Sequence, residues 1–186
     1  GYSQEDRNLI GENFFEIFLD QLFKFKAIHA DPNPANFGFR RGGIIVMYDF
    51  GCVKKIKPEI AKAFNDTVYA GLHEDYEAVE IGLRKLGVRN LKGPTIPHEY
   101  YKMWRDIFGR PFFQDSYDYG RADIHKDVLK NTPTFLAKYV TAFQPSPDMV
   151  FIDRVIGGHY GTLCHLKTQN GFRKVLDTYL VAPEAS

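Results

Sequence analysis

Apolar side chains recur every three or four positions along the first 25 residues, the spacing of one helix face. The apolar positions on this face are Phe14, Phe15, Phe18, Leu19 and Leu22. Ser3 is a suitable N-cap with Asp6 three residues later, so we predict a helix from Ser3 to about Phe25. Gly11 is a weak helix former, which leaves a start nearer Glu12 as an alternative.

Two prolines, Pro32 and Pro34, end this helical pattern, because each lacks a backbone donor and disfavours helix at the residue before it. The next apolar positions are typical of a β-hairpin. We predict a short strand over residues 36–39, a Gly-rich turn over 40–43 and a β-branched strand over 44–48.

The chain after residue 57 reads as helices joined by Gly and Pro signals. The predicted helices are 58–72, 75–86, 97–108, 133–143, 146–167 and 171–180. Residues 110–123 are predicted to form a polar-aromatic loop. The fold class that follows is mostly α with a small β-hairpin, and the length of 186 residues predicts a single domain over 1–186.

Charge and composition narrow the classes of protein. The 24 basic and 23 acidic residues nearly cancel, so no nucleic-acid partner is expected. The sequence has neither an apolar run of about 18 residues nor a signal-peptide pattern, and it lacks an initiator Met, so we expect a processed product or a piece of a longer protein. Cys52 and Cys164 form no CxxC pair, which fits a reducing intracellular compartment.

The candidate chemistry lies around the predicted hairpin. Asn36 and Asp49 fall almost opposite each other at its open end, and their oxygens are ligands that Mg²⁺ prefers. Asp31 lies five residues before Asn36 on a proline-stiffened loop, where a carboxylate can orient a hydroxyl or accept its proton. Turn formation is the alternative interpretation, since Asp and Asn favour loops near Pro and Gly.

The order of these residues is that of a kinase-type phosphoryl-transfer site. A catalytic loop H-x-D-x-x-x-x-N is followed by D-F-G at the end of the next strand. Residues 29–36 and Asp49-Phe50-Gly51 match both patterns with the expected spacing. We therefore predict Asp31 as the catalytic residue, and Asn36 and Asp49 as ligands of Mg²⁺ and, through it, of ATP.

The string over residues 29–36, H-A-D-P-N-P-A-N, resembles the UbiB/AarF-domain family of atypical kinases, whose usual string is H-A-D-P-H-P-G-N. Asn33 replaces the family His and Ala35 the family Gly. The short exit from D-F-G into a helix at Pro58 and the all-helical tail, including the helix with Arg154, are similar to that family. The resemblance covers most of residues 10–180 and implies a structural bracing role for His29.

The resemblance implies the C-terminal (large) lobe of a protein-kinase-like fold, with catalytic loop 29–36, metal-binding segment 49–51 and helical tail 58–180. The small lobe, which supplies the nucleotide-covering loop, has no room before residue 3 and is expected upstream. The isolated chain is therefore expected to be inactive.

For the intact protein the resemblance implies Mg-nucleotide binding with phosphoryl transfer or ATP hydrolysis, linked to isoprenoid-quinone biosynthesis or membrane-lipid homeostasis. The acceptor would be a lipid or quinone-pathway small molecule, and peripheral membrane association stays open. Bacterial cytoplasm or inner-membrane surface, mitochondrion and plastid are not separated. The alternatives are a non-catalytic nucleotide-sensing pseudokinase scaffold and a small-molecule phosphotransferase of the aminoglycoside or choline kinase kind.

Two further patterns are interpreted structurally. His159, Cys164 and His165 lack the spacing of a metal site, so we expect the helix that carries them to pack on the core. Gly157 and Gly161 are expected to allow close packing of that helix.

Overall fold

The structure is a computed structural model that describes residues 1–183. Its helices are α1 (Gln4–Leu19), α2 (Pro58–Leu72), α3 (Tyr76–Lys85), α4 (His98–Phe108), α5 (Arg110–Phe113), α6 (Ile124–Lys138), α7 (Pro147–Leu166) and α8 (Arg173–Asp177). Its strands are β1 (Ala27–His29), β2 (Phe37–Arg40), β3 (Ile44–Met47) and β4 (Val53–Lys55). The mostly helical class with a small hairpin is confirmed.

The contacts divide the chain into two compact units. The first contains residues 1–57, 111–122 and 150–179, and the second contains 58–110, 123–149 and 180–183. The prediction of a single domain over 1–186 stays a prediction.

Helix α1 begins with a capping box. The Ser3 hydroxyl accepts from the Asp6 backbone N–H at 3.0 Å, and the Asp6 carboxylate accepts from the Ser3 N–H at 3.3 Å. The alternative start near Glu12 is therefore wrong. Gly11 lies inside the helix. A Cβ at this position would meet the Thr168 side chain at 2.6 Å, so the glycine permits a close contact within the first unit. A π-helical turn over Asp20–Lys24 ends the helical stretch close to the predicted Phe25.

The predicted hairpin is confirmed with small shifts at its ends. Strands β2 and β3 pair antiparallel with Phe37 opposite Met47 and Arg40 opposite Ile44. The turn needs Gly42 and Gly43, whose φ angles of 75° and 76° other residues rarely adopt.

A second two-stranded sheet was not predicted. Strands β1 and β4 pair antiparallel, with His29 opposite Val53 and Ala27 opposite Lys55. Each has three residues, which is too short for an alternating pattern to be recognised, and the whole hairpin separates them along the chain.

The core of the first unit is aromatic. The fully buried Phe14 ring packs edge-on to Phe37 at a centroid distance of 5.0 Å and stacks on His159 at 4.0 Å. His159 is 6% exposed, which confirms that α7 packs on the core through this residue. Burial and the nearby His29 lower the pKa of the His159 imidazole from 6.5 to about 3, so the ring is neutral at pH 7.

The glycines of α7 act differently from the prediction. Among residues 1–183, no atom outside the helix's own nearby backbone lies within 4 Å of a Cβ built at Gly157 or Gly161, so neither mediates close packing, and that expectation is wrong. The residue that does is Gly158, where a Cβ would overlap the ring of Pro32. Helical spacing alone could not distinguish the three glycines, because the partner is a loop far away in the sequence.

The second unit is built from α2, α3, α4 and α6 around a small core. Its buried residues are Ala70, Val79, Ile96, Tyr100, Tyr101 and Ala142. Helix α6 begins at Ile124 and contains Pro133 in its interior, so the prediction of a helix over 133–143 with the proline near its start is wrong. A proline favours the first turn of a helix, but in this chain the helix begins well before Pro133 and continues through it.

An ion pair between a buried arginine and a partly buried glutamate lies in the second unit. Arg89, 5% exposed, donates to Glu80 at 2.8 Å and also to the Ala142 carbonyl. Burial alone would raise the pKa of Glu80, but hydrogen bonds from Arg89 and Tyr101 outweigh it and hold that pKa below its usual value. Burial and the bond to Glu80 raise the pKa of the Tyr101 phenol.

Two other expectations need adjustment. The predicted loop 110–123 contains the short helix α5 and a 3₁₀ turn over Tyr119–Arg121, and the last helix is shortened to Arg173–Asp177. In residues 1–183, none of the helices has the length and apolar character needed to cross a membrane.

The contrast between Gly158 and Gly157 gives a matched pair of variants. Gly158→Ala should destabilise the fold by about 1–3 kcal/mol, because the new methyl group overpacks against Pro32. Gly157→Ala should be neutral or stabilising by up to about 1 kcal/mol, because alanine is the better helix former and space is available. Urea unfolding measures both, and equal effects of the two variants would contradict the packing described.

The neutral His159 predicts a specific pH dependence of stability. Its folded pKa lies below the unfolded value, so between about pH 6.5 and 3 the unfolded chain binds the extra proton and stability is lost as pH falls. From pH 7 to pH 5 this residue should cost the fold about 2 kcal/mol. The test is the loss in free energy of unfolding between pH 7 and pH 5. This loss should be smaller in His159→Phe than in wild type by the same amount. His125→Gln, at an exposed position, should lose as much stability as wild type does.

Candidate active site

Two loops carry the predicted site residues, and strand pairing joins them at both ends. The loop from Ala30 to Asn36 follows β1, and the loop around Asp49 lies between β3 and β4. At one end the Ala30 N–H donates to the Cys52 carbonyl at 2.8 Å, which extends the β1–β4 pairing. At the other end the Tyr48 N–H donates to the Asn36 carbonyl at 2.9 Å, which extends the β2–β3 pairing. The loops are therefore held side by side.

The first loop is shaped by its own side chains. Asn33 caps the 3₁₀ turn Pro34–Asn36 by accepting from the Ala35 N–H at 3.0 Å, and its carbonyl accepts from the Asn36 N–H at 2.9 Å. Ala35 does not have a positive φ, so the turn does not require glycine there. Both departures from the family string are thus compatible with an ordered loop.

Asp31 and Asn36 are in direct contact. The Asn36 amide nitrogen donates to the Asp31 carboxylate at 2.8 Å and to the Asp31 carbonyl at 3.3 Å. With the amide oriented this way, its oxygen is left as an acceptor with no donor among the described residues. The pair therefore presents an amide oxygen and a carboxylate next to each other, both partly exposed.

Asp49 is exposed and lies one residue beyond the position opposite Asn36. One of its carboxylate oxygens accepts from the Gly51 N–H at 2.7 Å, and the other has no hydrogen-bond donor in residues 1–183. No direct hydrogen bond joins the Asp49 side chain to Asp31 or Asn36 in the described part of the chain. Its loop is linked to them through the backbone.

That link is His29. Its Nε2 is hydrogen-bonded to the backbone carbonyl of Asp49, and its ring packs edge-on to Phe37 at 5.6 Å and to Phe50 at 6.1 Å. The His29 backbone N–H donates to the side chain of Gln21 at 2.7 Å. His29 is 4% exposed, so it connects the two loops from the buried side of the site and does not face solvent. This agrees with the bracing role that the resemblance implied.

Sequence reasoning gave Arg154 no role at the site. Helix α7 places its Nη2 atom 3.5 Å from an Asp31 carboxylate oxygen, opposite the oxygen that Asn36 contacts. Phe151, three residues earlier on α7, lies under the Lys54 ammonium at 5.1 Å. The helical spacing of Phe151, Arg154 and Gly158 could have indicated a common face, but nothing in the sequence identified what that face contacts.

The donor set fits Mg²⁺ better than a softer metal. One amide oxygen from Asn36 and one carboxylate oxygen from Asp49 are hard ligands without protein donors, and Mg²⁺ commonly combines one or two such groups with water and phosphate. The described residues contain no cluster of three or more His, Cys, Asp or Glu side chains suited to a metal. The three or four His, Cys or carboxylate ligands that zinc sites use are therefore not grouped together in residues 1–183.

Comparison with known proteins shows which family the segment with both loops is similar to. Residues 2–81, which include both loops, match the family model of the ABC1 atypical kinase-like domain. The chain is 31% identical over 85 residues, 45% of its length, to the protein ACTIVITY OF BC1 COMPLEX KINASE 8, chloroplastic, of Arabidopsis thaliana, but covers 11% of that protein. It is 26% identical over 186 residues, 96% of its length, to the atypical kinase COQ8B, mitochondrial, of Rattus norvegicus, of which it covers 34%.

A solved structure shares the fold. The chain superimposes with a TM-score of 0.70 on Rv3197 of Mycobacterium tuberculosis, solved in complex with erythromycin, with 97% of this chain and 44% of that chain covered. At 20% identity the likeness shows the fold alone. The chain spans about a third or less of these relatives' curated sequences. The fold is the large lobe of a protein-kinase-like fold, and over residues 2–81 the chain is similar to the ABC1 atypical kinase-like domain of the UbiB/ABC1 family of atypical kinases.

Proposed function

We propose that Asp31, Asn36 and Asp49 form the Mg-nucleotide site of an atypical kinase or ATPase. The observation that carries this proposal is the orientation of Asn36, whose amide nitrogen binds Asp31 and leaves its oxygen available. The Asn36 oxygen and the second Asp49 oxygen are the two atoms that would hold Mg²⁺ on the phosphates of ATP. When bound, the metal supplies charge neutralisation of the phosphates.

The chain's own residues have separate roles in this proposal. Asp31 orients the attacking hydroxyl or water and accepts its proton, with the carboxylate held in one orientation by Asn36. His29 fixes the Asp49 backbone through the carbonyl, so that the metal-binding carboxylate stays close to the catalytic loop. Phosphoryl transfer needs such positioning more than it needs covalent chemistry from the protein.

The whole protein's activity is a wider proposal, because the chain spans only part of its relatives. By analogy with relatives named for the bc1 complex and for COQ8B, we propose a lipid or quinone-pathway small molecule as acceptor, and a chloroplast, a mitochondrion or a bacterial membrane surface as the place of action. Cys52 and Cys164 are both free thiols, which agrees with a reducing compartment. A small lobe from elsewhere in the protein would cover the nucleotide.

A non-catalytic scaffold that binds nucleotide is the second candidate, and one observation favours it. Both Asp31 carboxylate oxygens are already contacted, one by Asn36 and one by Arg154. In this arrangement neither carboxylate oxygen is left without a contact for an attacking hydroxyl or water, which agrees with binding without turnover.

Calorimetric titration with Mg-ATP and Mg-ADP tests the metal assignment. Asp49→Asn removes the charged ligand and should weaken binding at least tenfold, since charge-assisted contacts contribute about 1.5–3 kcal/mol. Asp177→Asn, on α8 in an exposed pair with Arg173, is the matched control and should bind as wild type does. The titration is run on the full-length gene product. Equal affinity in wild type and Asp49→Asn would rule out the metal assignment.

Turnover of Asp31→Asn separates the enzyme from the scaffold. The substitution keeps the size of the side chain and removes the proton acceptor, so ATP consumption should fall by about 10²–10⁴-fold while Mg-ATP affinity stays within about twofold. Loss of phosphate release at unchanged affinity supports catalysis. A wild type that binds Mg-ATP without turnover, together with an unaffected Asp31→Asn, would instead establish the scaffold.

A further inference from the structure

The catalytic loop lacks a cation of its own. No Lys or Arg occurs between His29 and Asn36, whereas the proposed function assigns two carboxylates, Asp31 and Asp49, to a polyphosphate site. Phosphoryl transfer develops negative charge on the terminal phosphate oxygens, which Arg, Lys and metal ions stabilise. A protein cation close to Asp31 would therefore have a clear chemical use.

Arg154 is the cation that the structure places there. Its Nη2 lies 3.5 Å from Asp31, longer than a good hydrogen bond, so the pair is close but loosely joined. The Arg154 side chain is 58% exposed and the Asp31 side chain 38%. An exposed pair of this kind adds little to stability, so stability alone does not account for the contact.

The backbone that carries Arg154 is fixed against the loop. Gly158, one turn later, has its Cα against the Pro32 ring, with no room for a Cβ. Val155 and Ile152 on the same helix are fully buried. The position of the helix is thus set by packing, whereas the exposed guanidinium can reorient by side-chain rotation.

The remaining donors of Arg154 are suited to a phosphate. A guanidinium has five N–H donors in a planar fork that matches two phosphate oxygens, and the Asp31 contact involves one nitrogen. A nucleotide phosphate next to Asp31 would lie within reach of the others. Charged hydrogen bonds of this type are stronger than the long contact to the carboxylate.

We propose that Arg154 binds the terminal phosphate of ATP and positions Asp31, so that α7 supplies the cation missing from the catalytic loop. This rests on the proposed function. The bond from the terminal phosphorus to the nucleoside diphosphate breaks as the bond to the acceptor oxygen forms, and the acceptor proton passes to Asp31. Arg154 keeps its protons and its charge throughout.

Binding of Mg-ATP and Mg-ADP to wild type, Arg154→Gln and Arg154→Lys tests this role in the full-length gene product. ADP lacks the phosphate that Arg154 would contact. Arg154→Gln should weaken Mg-ATP binding about tenfold and leave Mg-ADP binding within about twofold, because charge-assisted contacts to one phosphate are lost. Arg154→Lys, which keeps the charge without the fork, should fall between. ATP turnover by Arg154→Gln should drop on the order of 10²-fold in kcat.

The controls separate the possible failures. Arg121→Gln removes another exposed arginine, 90% exposed beside Asp118, and should change neither affinity. A thermal melt of each variant near that of wild type shows that folding is intact. If Arg154→Gln weakens the binding of Mg-ATP and Mg-ADP equally, or weakens neither, the role of Arg154 is overturned. The proposed site is still upheld in that case if Asp49→Asn binds Mg-ATP more weakly than wild type. A wild type that binds neither nucleotide overturns the proposed function and this inference together.

Discussion

The antiparallel pairing that ties two loops together is the constraint on which the site depends. Strand β1 pairs with β4 and strand β2 with β3, so the loop carrying Asp31 and the loop carrying Asp49 are fixed relative to each other at both ends. Without that pairing each loop would lose its partner and sample many conformations, at a cost of about 1–2 kcal/mol for every residue that binding must then order. His29 adds a side-chain link between the loops where they come closest.

The same unit is completed by chain segments far apart in sequence. The Phe14 ring of helix α1 packs against Phe37 of the hairpin and against His159 of α7. Two glycines make the approaches possible, Gly11 against Thr168 and Gly158 against Pro32. The residues after position 149 therefore contribute directly to the environment of Asp31, although they lie beyond the segment that the family model matches.

The sequence was sufficient for whatever depends on local pattern or on motif spacing. The N-cap at Ser3, the hairpin with its two-glycine turn and the shared loop of Asp31 and Asn36 followed from residues close to one another in the chain. The β1–β4 sheet could not be predicted, because three-residue strands gain their order from a distant partner and not from alternation. Arg154 and Gly158 were missed for a related reason, since their significance comes from contacts with Asp31 and Pro32 that only tertiary packing creates. The misplaced start of α6 arose from a local preference of proline that tertiary structure overrode.

The turn around Asn33 has a consequence for how a ligand would be captured. Its cap and the ordinary backbone of Ala35 give the loop a defined shape without glycine. A chain with alanine there has fewer conformations in the free state than one with glycine. The loop would therefore lose less conformational entropy when it binds a ligand that needs this shape. We expect the binding rate to be governed by diffusional encounter more than by a slow rearrangement of the loop.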